Sequence, residues 1–164
     1  MFFYQPLSKN LSTLSLTYPI KRSVNASISK LANKIFGNSE GVFRGFEFGQ
    51  DLDEIILKEK FKVFEREKDY VGVSFSNSKM ETIDILYFKN IFNKLEKIQV
   101  DVFLNSEQDS NQLFDYVFHQ IFENHGFPIP IKHGYCWTRA NEPKISLSKV
   151  NNKIEQGILL IFER

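Results

Sequence analysis

At 164 residues, with 42% apolar and 25% charged residues, the chain is long enough to bury a core without disulfide or metal staples, and its composition is that of a globular protein. A single cysteine, Cys136, excludes an intramolecular disulfide, and the longest apolar run near the end, Ile158–Phe162, is far too short to span a membrane. A formal net charge of +1 excludes a strongly basic nucleic-acid binder, and the start of the chain lacks the pattern of a signal peptide. One globular domain over residues 1–164, in the cytoplasm, is the expectation.

In chain order, residues 11–18 lean toward a strand that Pro19 ends. Ser23 then reads as an N-cap. Val24, Ile28, Leu31, Ala32, Ile35 and Phe36 recur at helical spacing, and Gly37 follows as a stop. Val42–Phe48 alternates loosely between glycines and predicts a strand. Asp51–Lys58 predicts one or two helical turns, with acidic residues at the favourable end of the dipole. Lys60–Arg66 and Tyr70–Ser76 predict a hairpin, with Val71, Val73 and Phe75 on one face.

Met80–Lys97 reads two ways. Tyr87, Phe88, Ile91, Leu95 and Ile98 form a helical stripe, but Ile85 and Leu86 fall off it, so its front half fits a strand as well. Gln99–Leu104 alternates as a strand. Ser110–Asn124 is the clearest helix: Leu113, Phe114, Val117, Phe118, Ile121 and Phe122 cover about half its circumference. His125-Gly126 stops it, and the prolines after Phe127 hold the chain extended. His133–Arg139 and Gly157–Glu163 predict strands, and the unbroken Ile-Leu-Leu-Ile-Phe run predicts one that is covered on both faces near the sheet centre. The fold class is therefore α+β: a mixed or mainly antiparallel sheet of five to seven strands carrying two or three packed amphipathic helices.

Charge is distributed unevenly. From Ile98 to Ile131 there is no lysine or arginine, while Asp101, Glu107, Asp109, Asp115 and Glu123 fall in the stretch and both flanks are net basic. Core positions account for much of this gap. The remainder is the polar stripe of one helix, Asp115, Tyr116, His119 and Glu123, with Glu107 and Asp109 in the loop before it. Carboxylates with a tyrosine and no cation present a face suited to a basic protein.

Catalytic patterns are weak. His119, His125 and His133 have no metal-ligand spacing with each other or with Cys136. A His119–His133 acid–base pair, or a metal site built from Asp51, Asp53, Glu54 and Glu59 with Lys60, is chemically conceivable but is explained as well by surface and helix-start roles. Cys136 and His133, three residues apart in a strand, point to opposite faces. Gly37, Gly41, Gly45 and Gly49 lack the Lys-Ser/Thr of a phosphate loop.

No enzyme, cofactor or metal is expected. The favoured expectation is a bacterial immunity protein or antitoxin-like inhibitor. It would neutralise a basic, nuclease-type toxin domain by charge mimicry through Glu107, Asp109, Asp115, Tyr116, His119 and Glu123. The alternative is a nucleic-acid-binding protein of a mobile element that uses a basic, aromatic strand face of Lys132, Tyr135, Trp137, Arg139 and Lys144.

Overall fold

The structure, a computed structural model, describes residues 18–19, 23–37, 40–152 and 154–164. The strand expected over 11–18 lies outside these residues, except for Tyr18. Three helices and eight strands follow in the order α1 (Ala26–Phe36), α2 (Leu52–Lys58), β1 (Lys62–Arg66), β2 (Tyr70–Ser76), β3 (Thr82–Lys89), β4 (Leu95–Leu104), α3 (Glu107–His125), β5 (Ile129–Ile131), β6 (Gly134–Trp137), β7 (Lys144–Asn151) and β8 (Gln156–Glu163).

All strands join one sheet in the order β1-β2-β3-β4-β8-β7-β6-β5, and every neighbouring pair is antiparallel. The fold is thus α+β with an antiparallel sheet, but of eight strands rather than five to seven. Two four-stranded meanders meet through their last strands, β4 and β8. The link between them is α3, which leaves the sheet centre and returns the chain to the far edge at β5.

Local chemistry sets the helix ends. Asn25, not Ser23, caps α1: its side chain accepts from the Ile28 amide at 2.9 Å. Asp51 caps α2 in the same way through the Asp53 amide at 3.1 Å. Ser106 caps α3, Glu107 and Asp109 occupy its first turn, and Gly126 ends it at φ +70°. Glu107 and Asp109 therefore belong to the helix itself and not to the loop before it.

Two expected elements differ. Val42–Phe48 is a pair of turns closed by a Phe43–Phe46 bridge, not a strand; both phenylalanines are buried. Met80–Lys97 contains no helix. Its front is β3 and its end enters β4, with Asn93 at φ +60° in the turn between them. Ile83, Ile85 and Tyr87 alternate inward as a strand requires, and the helical spacing of Ile91 was incidental because Ile91 lies exposed at the hairpin tip.

The core lies on one face of the sheet. Across the strands, Val71, Tyr87, Ile98, Phe162, Ile145 and Trp137 stand in one row; Val73, Ile85, Val100, Leu160, Leu147 and Tyr135 stand in the next. The helices and the turn at 40–50 cover this face: Phe43 meets Phe162, Phe46 meets Tyr87, and Phe118 of α3 meets Tyr135 and Trp137. The other face carries no described helix. The central position expected for the Ile158–Phe162 run is correct, but its second face, Leu159 and Ile161, is only half-buried. On that open face Asp84 and Asp101 are direct cross-strand neighbours. Burial, together with the charges of Asp84 and Glu155, raises the Asp101 carboxyl above the usual aspartate range despite a hydrogen bond from Gln99.

The seam between the meanders leaves no room at Gly157. A β-carbon there would run into the Val102 carbonyl oxygen of β4. The Gly157 carbonyl also accepts from the buried Ser110 hydroxyl at 2.9 Å, which ties α3 to the start of β8. Gly157→Ala should lower stability by about 1–3 kcal/mol or more, read as a fall in the urea midpoint at unchanged slope.

Candidate groove along the central helix

The Phe-rich side of α3 packs on the sheet, and α1 packs against α3, with the Asn25 amide donating to Gln112 Oε1 at 3.4 Å. The polar stripe is therefore not one open surface. Glu107 and Glu123 are exposed at opposite ends of the helix, about 24 Å apart at 1.5 Å per residue. Asp109 is held by the Lys79 ammonium at 3.0 Å, with only 16% of its side chain exposed. Tyr116 is half-buried against the core and lines a separate hollow beside Phe36 and Arg44. His119 is half-buried, edge-on to Phe118 at 5.4 Å, with its Nε2 enclosed and unbonded. The stripe expected to be exposed is in large part covered, because a second helix needs a surface to pack on.

What remains open is a groove around the N-terminal half of α3. One cleft, of about 640 Å³, lies between α3 and the β5–β6 edge and is lined by Tyr18, Asn111, Asp115, His133, Tyr135 and Lys149 among others. A second, of about 420 Å³, lies between α3 and the residues before α1 and is lined by Val24, Glu107, Gln108, Asn111, Gln112 and Asp115. Asn111 and Asp115 belong to both, so Asp115 stands where the two clefts join. Lys149, from β7, donates to Asn111 Oδ1 at 2.7 Å and lies 4.7 Å above the Phe114 ring. Burial, with Tyr18 and the Asp115 charge nearby, pushes the Tyr135 phenol above its ordinary range. Neither His133 nor Lys149 was selected from sequence as part of an acidic face. No local pattern marks them; long-range pairing of β6 and β7 brings them to α3.

The alternative residues do not share one surface. Tyr135 and Trp137 face the core, and Trp137 is buried with its indole N–H donating to the Gly126 carbonyl at 2.8 Å. Lys144 projects from the other face, where it pairs with Glu163 at 2.9 Å. Arg139 pairs with Glu142 at 3.6 Å, and Lys132 is exposed in the β5–β6 turn. A stacking platform needs open aromatic faces, and Trp137 does not offer one.

The acidic run at 51–59 diverges. Asp51 and Asp53 accept from the Asn93 amide group at the hairpin, whereas Glu59 turns inward to Arg44 and Tyr87. Among the described residues, no three His, Cys, Asp or Glu side chains converge to hold a metal ion, and no helix is long and apolar enough to cross a membrane. Cys136 lies on the sheet face opposite Tyr135, where the Ser146 hydroxyl points at its Sγ from 3.7 Å. Comparison with protein families, with curated proteins and with solved structures finds no match for this chain.

Proposed function

We propose that the protein is a non-catalytic cytoplasmic inhibitor, of the immunity-protein or antitoxin type, that binds a basic nuclease-type toxin domain. Its contact surface is the groove along the first half of α3. The observation that carries this reading is the junction of the two clefts at Asp115, with Glu107 on the wall of the second. A lysine or arginine of the partner, entering there, meets carboxylates in the positions that phosphates take in the toxin's own substrate. Asp109 and Tyr116 support the helix rather than the contact, and Glu123 stands apart at the far end.

The test is binding of the full chain to a catalytically inactivated toxin domain encoded beside its gene. Glu107→Lys with Asp115→Lys should weaken binding at least about a hundredfold, while Glu123→Lys should leave it nearly unchanged. Equal binding by the double variant would rule out this groove.

A further inference from the structure

The sheet face opposite the helices carries a band of apolar and neutral side chains that runs across its strands. Register places Leu86, Gln99, Ile161, Ser146, Cys136 and Ile129 in one row, from β3 to β5. Phe64 extends the row at the other edge: its ring lies over Gly72, where a β-carbon would meet both it and Leu86. The two ends of the band are open, with Phe64 49% and Ile129 56% exposed. The strand lengths, at about 3.4 Å per residue and about 4.8 Å between strands, give this face roughly 800 Å². That is the area one partner contributes to a stable interface of ordinary size.

The charges beside the band are arranged by row. On one side, Asp84 and Asp101 stand directly opposite each other, each accepting from a neutral donor, Ser74 at 2.6 Å and Gln99 at 2.9 Å. Like charges in such a pair destabilise the sheet that holds them. On the other side stand Lys97 and Lys144 with Glu163. Lys97, Gln99 and Asp101 are successive outward residues of β4, so the basic and acidic rows lie equally far from the Gln99 row.

We propose that this face binds a second copy of the chain, the two sheets stacking about 10 Å apart around a twofold axis that lies along the Gln99 row. That axis sets the apolar band on its own copy. It also carries Lys97 of each protomer over Asp101 of the other, twice, which adds a facing cation to the charge that Lys97 of its own chain supplies from along the strand. At Lys97 and Asp101 the surface is self-complementary in sign, as a closed dimer requires.

Sedimentation velocity of the full chain should show a species of twice the 19.2 kDa chain mass, with a dissociation constant below about 10 µM. Lys97→Asp should weaken the dimer at least about tenfold, and adding Asp101→Lys in the same chain should restore it to within about threefold of the parent. Leu86→Lys stands beside Asp84 in its own chain, so the monomer keeps its fold by circular dichroism, but it meets its own copy across the axis and should weaken the dimer by a similar factor. A chain that stays monomeric at about 100 µM overturns the proposal. So does a Lys97→Asp or Leu86→Lys variant that dimerises as tightly as the parent, or a double variant no tighter than Lys97→Asp alone.

Discussion

Glu59→Ala should lower the unfolding free energy by about 3–5 kcal/mol, the cost of leaving a buried charge without its partner. The Glu59 side chain is 1% exposed and that of Arg44 9%. Arg44 grips the carboxylate with two nitrogens, at 3.0 and 2.9 Å, and the Tyr87 hydroxyl donates to it at 2.7 Å. The third guanidinium nitrogen donates to the carbonyls of Lys34 and Ile35 in the last turn of α1, at 2.8 and 3.0 Å. One side chain, held at φ +56°, thereby joins the end of α1, the end of α2 and the middle of β3.

Burial by itself would raise the Glu59 carboxyl, but the Arg44 and Tyr87 hydrogen bonds and the Arg44 charge outweigh it and hold the group below the ordinary glutamate range. A depressed carboxylate contributes stability that is complete above its unfolded value and disappears as pH falls through its folded one. Urea unfolding between about pH 7 and about pH 3 should therefore show a steep acid loss in the parent. The loss should be shallower in Glu59→Gln, which keeps the shape without the charge. An alanine variant within about 1 kcal/mol of the parent would mean that water or relaxation replaces the network.

Phe118→Ala should cost a comparable amount, about 3–5 kcal/mol. The Phe118 ring is 1% exposed and sits at the centre of an aromatic cluster, with Tyr135 at 4.7 Å, Trp137 at 5.6 Å, Phe122 at 5.8 Å and Tyr18 at 6.1 Å. These rings belong to α3, to β6 and to the segment before α1. Their loss of a common neighbour opens a cavity that none of them can fill alone. Trp137 is the lone tryptophan, so its emission should shift to the red in the variant while the helical signal in circular dichroism persists. Unchanged emission at unchanged stability would place the cluster outside the core. Because Tyr18 and Tyr135 also line the larger cleft, the same variant should loosen that wall of the groove.

The elements read correctly from sequence are those whose cause is local. The phenylalanines of α3 recur every three or four residues, and Gly126 supplies the positive φ that ends the helix. Val71 and Val73 alternate inward in β2 as their spacing requires. The errors have more than one cause: β7 was not expected at all, although Ile145 and Leu147 alternate inward in it. In β3 the outward residues Leu86 and Phe88 are apolar and half-buried, and they blur the alternation that would have announced a strand. Phe43 and Phe46, spaced like neither a strand nor a long helix, are buried by a turn.

By itself the sequence determined the fold class, most of the elements and the stretch without cations, since hydrophobic period, caps and breakers act over a few residues. Only the tertiary structure decided what that stretch faces. Long-range pairing brought Lys79 to Asp109 and Lys149 to Asn111, packed α1 over part of the polar stripe, turned Trp137 into the core and left Asp115 where two clefts join. The same pairing set Asp84 against Asp101 on an open sheet face. The physical reason is that these juxtapositions are paid for by contacts between residues many tens of positions apart, whose energy no local window of sequence contains.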